Sequence, residues 1–191
     1  MAHHVVGFAG SLRKGSYNKA LLRAAVELAP KSGLGVHVVD LQDVPFYDQD
    51  HEAEPPPPVR MLRDAVAAAD GVLIATPEYN YGLPAVTKNA VDWVSRPAGS
   101  SPIAGKPAAI LGASTGLIGT ARAQLQLRQS FVFTHTIAMP PPEVLVSQAA
   151  TKFDADGRLT DESTRELLDG FLRSFAAWIE RIGRAGEWRP G

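Results

Sequence analysis

The chain has 191 residues, 45% of them hydrophobic, with a formal net charge of -1, which suits one domain over residues 1–191. A balance so close to neutral argues against nucleic acid or an anionic membrane surface as the main partner, since both would favour a basic stripe. The chain has no cysteine, which excludes disulfides, thiolate metal sites and cysteine nucleophiles. No apolar run approaches the roughly 20 residues of a membrane span, and no basic-then-apolar leader is visible, so the expected location is the cytoplasm.

An apolar run at 5–10 reads as a buried parallel strand ending in Gly10. His3 and His4 precede it, and adjacent strand residues point to opposite faces, so the pair would not converge on one metal ion. Tyr17–Leu28 reads as a helix, with Leu21, Leu22, Ala25 and Leu28 on one face and Pro30 and Gly33 ending it. A second strand at 36–39 completes a βαβ unit. Residues 41–58 form a long connection, and the prolines at 55–58 read as surface loop rather than polyproline ligand or linker.

A helix is expected at 59–69, then a turn at Asp70-Gly71 and the most apolar strand, 72–75, which should be central. A helix follows at 85–95 with Pro84 near its first turn. A fourth strand is expected at 108–111, a helix at 120–133, a fifth strand at 134–138 and a short extended piece at 144–146. The last helix, 161–184, carries a 3.6-period stripe of Leu167, Leu168, Phe171, Leu172, Phe175, Trp178, Ile179 and Ile182. Strands alternating with helices imply an α/β fold: an open five-stranded parallel sheet, flavodoxin-like in order 2-1-3-4-5, with helices on both faces.

Three polar loops leave carboxyl ends of strands, where such sheets bind ligands. The first is Gly10-Ser11-Leu12-Arg13-Lys14-Gly15-Ser16-Tyr17-Asn18. It joins the free N–H groups of a helix N-terminus to neutral donors at Ser11, Ser16 and Asn18 and to the charged fork of Arg13, which together suit a phosphate. An ordinary capped helix would explain Ser16 alone. The second, Thr76-Pro77-Glu78-Tyr79-Asn80-Tyr81-Gly82-Leu83-Pro84, is a polar and aromatic cluster able to border a planar ring. The third is Gly112-Ala113-Ser114-Thr115-Gly116.

Other motifs fail on spacing. Ser16 and Tyr17 follow Gly15 where a nucleotide-triphosphate loop needs Lys and then Ser or Thr. No G-x-G-x-x-G follows the first strand, and the surroundings of Ser114 are too short for a hydrolase elbow. Asp154-x-Asp156-Gly157 places Lys152 and Ser163 where a calcium loop needs acids, so it reads as a turn.

Together the first two loops, with Lys88-Asn89-Ala90-Val91-Asp92-Trp93, resemble the NADPH-dependent FMN reductase family of flavodoxin-like proteins, and within it the bacterial quinone and chromate reductase branch. The resemblance implies that Ser11, Arg13, Ser16 and Asn18 hold the FMN phosphate. It implies that Pro77, Glu78, Tyr79 and Asn80 contact the isoalloxazine and ribityl parts, with Ser114, Thr115 and Gly116 closing the other side. It implies hydride transfer from NADPH or NADH to FMN and on to a small acceptor such as a quinone, an azo compound, chromate or free flavin, by a ping-pong scheme with no catalytic side chain. It also implies a homodimer or homotetramer with Tyr81, Arg122 and Glu143 near the subunit boundary. Leu125 stands where the branch can carry a Tyr in an intersubunit polar network, and it cannot make that hydrogen bond. A flavodoxin-type carrier is the rival reading, and its docking surface would be strongly acidic.

Overall fold

Five parallel strands follow one another across the sheet in the order β2-β1-β3-β4-β5 in the computed structural model, which describes residues 2–184. Residue 1 and residues 185–191, the ends of the expected 1–191 domain, lie outside the described residues. The strands are β1 (His3–Ala9), β2 (Leu34–Val38), β3 (Gly71–Ala75), β4 (Pro107–Ala113), β5 (Ile137–Ala138) and β6 (Val144–Val146). The helices are α1 (Tyr17–Leu28), α2 (Pro57–Ala68), α3 (Ala85–Val94), α4 (Ala121–Thr134) and α5 (Glu162–Arg184).

The central strands are buried on both faces, and their side chains alternate between two cores. Val5, Leu73, Ala75, Ala109 and Leu111 pack with α1 and α5, including Leu21, Leu168, Phe171 and Phe175. Val6, Phe8, Val72, Ile74 and Ile110 pack on the other face with Leu62 and Val66 of α2, Ala90 and Val91 of α3, and Leu127 and Phe131 of α4. Leu167, expected in the α5 stripe, instead lies 41% exposed.

Two boundaries differ from expectation for local reasons. The proline run is the start of α2: Pro56 is its N-cap and Pro57 and Pro58 form its first turn, where missing N–H groups cost nothing. The expected fifth strand at 134–138 shrinks to Ile137–Ala138, because α4 runs on to Thr134 and ends at His135 in the left-handed region (φ 56°). The prolines at 140–142 then interrupt the ladder, having no N–H to donate. The extended piece at 144–146 is β6, which pairs with the upper half of β4 (Leu111 with Val144, Ala113 with Val146) while β5 takes the lower half.

The long connection after β2 is pinned to α3. Asn89 donates to the Pro45 carbonyl (2.8 Å) and accepts from Tyr47 N (2.7 Å), and Trp93 Nε1 donates to the same carbonyl (2.9 Å). Asn89 and Trp93 thus serve a loop against which α3 packs, rather than the crevice.

Candidate active site

Backbone hydrogen bonds fix where each of the three loops departs. Gly10 N donates to Ala75 O (2.8 Å), Thr76 N to Leu111 O (2.9 Å) and Ser114 N to Val146 O (2.9 Å). Directly beneath them glycine meets threonine. A Cβ on Gly10 would lie 1.8 Å from Thr87 Oγ1, and one on Gly112 would lie 2.0 Å from Thr120 Oγ1 and 2.4 Å from the Thr76 carbonyl. Thr76, Thr87 and Thr120 are fully buried, and the hydroxyls of Thr76 and Thr87 are 3.0 Å apart. Small backbone positions let α3 and α4 approach the strand ends and close the floor of the crevice. No local sequence signal marks Thr87 or Thr120.

In the first loop, Ser16 caps α1: its Oγ accepts from Asn18 N (3.2 Å) and Lys19 N (3.3 Å). Asn18 is buried. Its carboxamide donates to Ala113 O and accepts from Ala113 N, both at 2.9 Å, and so ties α1 to the end of β4. Ser16 keeps its hydroxyl proton and Asn18 the second hydrogen of its amide nitrogen. Arg13 and Lys14 are exposed, and the Arg13 guanidinium lies 5.6 Å from the Tyr17 ring centroid. Among the described residues no carboxylate pairs with either cation, and no protein acceptor takes the amides of Leu12, Arg13, Lys14 or Gly15. Ser11 is 2% exposed, and its hydroxyl lies 3.4 Å from the Tyr79 phenol.

The second loop ends in a tight hairpin. Tyr79 N donates to Gly82 O (3.1 Å) and Gly82 N to Tyr79 O (3.0 Å), with Asn80 (φ 49°) and Tyr81 (φ 71°) between them. Two consecutive positive φ values suit a primed turn, and a bulky Tyr there is strained backbone of the kind found at binding sites. Gln126 of α4 braces the hairpin by accepting from Leu83 N at 2.7 Å.

Glu78 is turned inward, its side chain 5% exposed. Its carboxylate accepts from Arg122 N (3.0 Å) and Ala123 N (3.3 Å) and pairs with the Arg122 guanidinium. Thr120 offers no side-chain cap to α4, so Glu78 caps that helix from another loop. The hydrogen bond that Arg122 donates to Glu78 raises the Arg122 pKa above its already high value, and Arg122 lies 3.4 Å over the Tyr81 ring. In this loop Pro77 is buried, Asn80 exposed and Tyr79 half-exposed.

The third loop is held at both ends. Ser114 Oγ accepts from Gly116 N (3.1 Å), Ser114 O from Ala149 N (3.0 Å) and Gly116 O from Gln148 N (3.0 Å). Thr115 and Gly116 are exposed, as are Leu117 (79%) and Ile118 (54%). The loops thus combine exposed cations and free amides in the first with aromatic and apolar groups in the second and third. That donor set fits a phosphate-bearing planar cofactor of the FMN kind.

The chain matches the NADPH-dependent FMN reductase family over residues 3–151. It belongs to that family. It is 48% identical over 179 residues to an NAD(P)H-dependent FMN reductase of Pseudomonas aeruginosa, covering 93% of this chain and 96% of the relative. It is 42% identical to a 2-hydroxy-1,4-benzoquinone reductase of a Burkholderia species, covering 94% and 97% of the two chains. Among solved structures it superposes on FerB, a flavoenzyme NAD(P)H:(acceptor) oxidoreductase of Paracoccus denitrificans, with a TM-score of 0.86 and 40% identity over 94% of this chain and 98% of that one. The flavodoxin-like sheet order read from the alternation of strands and helices is the order observed in this family member.

Proposed function

We propose that this chain is an NAD(P)H-dependent FMN reductase that reduces quinones. The observation that carries the reading is the loop 10–16, with its unpaired Arg13, Lys14 and amides at the N-terminus of α1, set beside the Tyr79 hairpin. The net reaction oxidises NAD(P)H to NAD(P)+ and reduces a quinone to the hydroquinone, taking one proton from solvent. FMN, when bound, supplies the hydride chemistry that links donor and acceptor. Arg13, Ser11 and the free amides of 12–15 would hold its phosphate. Main chain at 77–80, the Tyr79 ring and the 114–116 loop would border its planar part.

The protein's task is positioning. Glu78 fixes the ring loop through the N-terminus of α4, Asn18 fixes α1 through Ala113, and Ser16 presents the helix end. Leu117 and Ile118 supply an apolar rim beside the crevice, which favours an apolar, ring-shaped acceptor over a small hydrated anion such as chromate. With one open face, donor and acceptor take turns.

A second copy of the chain is proposed to cover α4. Leu125 (58%), Val132 (78%) and Phe133 (79%) are exposed apolar residues of α4, and Phe133 borders a cavity of about 590 Å3 between α3 and α4. Leu125 offers apolar surface instead of a polar contact. Glu143 is exposed, while Arg122 and Tyr81 stack within the subunit. Among the described residues no helix is long and apolar enough to cross a membrane; the whole chain is proposed to act as a single domain in the cytoplasm.

The test is steady-state oxidation of NADPH and NADH by the FMN-loaded protein with a benzoquinone as acceptor. Turnover with parallel double-reciprocal lines is expected. No acceptor-dependent turnover with either donor would leave an electron carrier or a non-catalytic flavin protein.

A further inference from the structure

The link between the first two loops is a pair of hydroxyls, Ser11 Oγ and Tyr79 Oη, 3.4 Å apart. Ser11 is 2% exposed, whereas the Tyr79 residue is 52% exposed, so the phenol reaches from an open ring into a closed corner. The Tyr79 backbone is held on both its N–H and its carbonyl by Gly82, and the hairpin is braced by Gln126, so the phenol is delivered by a supported turn.

A serine hydroxyl has one proton to give and lone pairs to accept with. If Ser11 gave its proton to Tyr79, it would have none for a phosphate. A phenol is the stronger acid of the two and the better donor. We propose that Tyr79 is a positioning residue for the phosphate end of the cofactor: its Oη–H donates to Ser11 Oγ and turns the Ser11 proton toward the flavin phosphate.

The chain then runs phenol to hydroxyl to phosphate oxygen, each bond polarising the next. This rests on the reading of loop 10–16 as the phosphate site. Its consequence is that the preference for FMN over riboflavin, which lacks the phosphate, depends on a residue of the ring loop.

The experiment measures FMN and riboflavin affinities, by quenching of flavin fluorescence, for the wild-type protein, Tyr79→Phe, Ser11→Ala and the double variant. Tyr79→Phe keeps the ring and removes one hydroxyl from a half-exposed site. It is expected to weaken FMN about threefold to tenfold and to leave riboflavin within about twofold. In the Ser11→Ala background the same change is expected to have no further effect on FMN. Equal weakening of both flavins would show that Tyr79 acts through the ring, and it would overturn the proposal. So would unchanged FMN affinity, or losses that simply add in the double variant. Failure of the wild-type protein to bind either flavin is a separate result and would overturn the reading of the crevice itself.

Discussion

The two ends of the same sheet treat their polar groups in opposite ways. At the amino end charges and carbonyls satisfy one another. Asp70 accepts from His4 N (2.8 Å), His3 lies between Asp70 (4.0 Å) and Glu180 (3.8 Å), and Lys106 Nζ donates to the carbonyls of Ala67 (3.0 Å) and Ala69 (2.6 Å) at the end of α2. At the carboxyl end Arg13 and Lys14 are exposed and, among the described residues, have no carboxylate partner, and the amides of 12–15 have no protein acceptor, above a floor of close-packed Gly10, Gly112 and buried threonines. One end is built for stability. The other is rigid below and unsatisfied above, the arrangement a charged ligand completes.

The largest effect should come from breaking the floor. In Gly112→Ala the new methyl meets the Thr76 carbonyl, which is backbone and cannot rotate away. A loss of about 3 kcal/mol in urea unfolding is expected, together with loss of FMN binding. Next comes a change that should touch the ligand and spare the fold. Arg13→Ala removes an exposed cation, so unfolding should be unchanged while FMN affinity falls by about 2 kcal/mol, roughly thirtyfold, by calorimetric titration. Loss of stability in this variant would contradict the division between the two ends.

The converse variant is Lys106→Met. It frees the last carbonyls of α2 at the amino end, so unfolding stability should drop by about 1 kcal/mol while FMN affinity stays within about twofold. A smaller, pH-dependent effect belongs to α5. Asp161 accepts from Thr164 N (2.9 Å), from the Ser163 and Thr164 hydroxyls and from Lys152 Nζ (2.9 Å), and these bonds hold its pKa well below the ordinary 3.8. A depressed carboxylate stabilises the fold fully above 3.8 and loses that contribution as pH falls through its lowered folded-state value. Urea midpoints of Asp161→Asn should therefore lie below wild type at neutral pH and converge with it in acid.

Much of this architecture is legible in the chain, because its signals are local. Ser16 and the stop at Pro30 bracket α1, and uninterrupted apolar runs mark β3 and β4. The fifth strand was harder, since the apolar residues at 137–146 are divided by prolines and pair with different halves of β4. In the crevice, residue types announce a phosphate and a ring but not which atoms face them. Asn18 reads as a donor to ligand, and the sequence gives no sign that Ala113, 95 positions away, takes its oxygen and one of its two amide hydrogens. Glu78 reads as a ring contact, and nothing near it in the sequence shows that its carboxylate also caps α4, 44 positions on. Both are long-range satisfactions of buried polar groups, which no spacing rule encodes.

The measurement that bears most directly on the central claim is the visible absorbance spectrum of the purified protein, recorded without oxygen after adding FMN and then NADPH. Protein-bound flavin bands that bleach on adding NADPH are the predicted result. Bands that persist with both NADPH and NADH, or a protein that takes up no FMN, would contradict it.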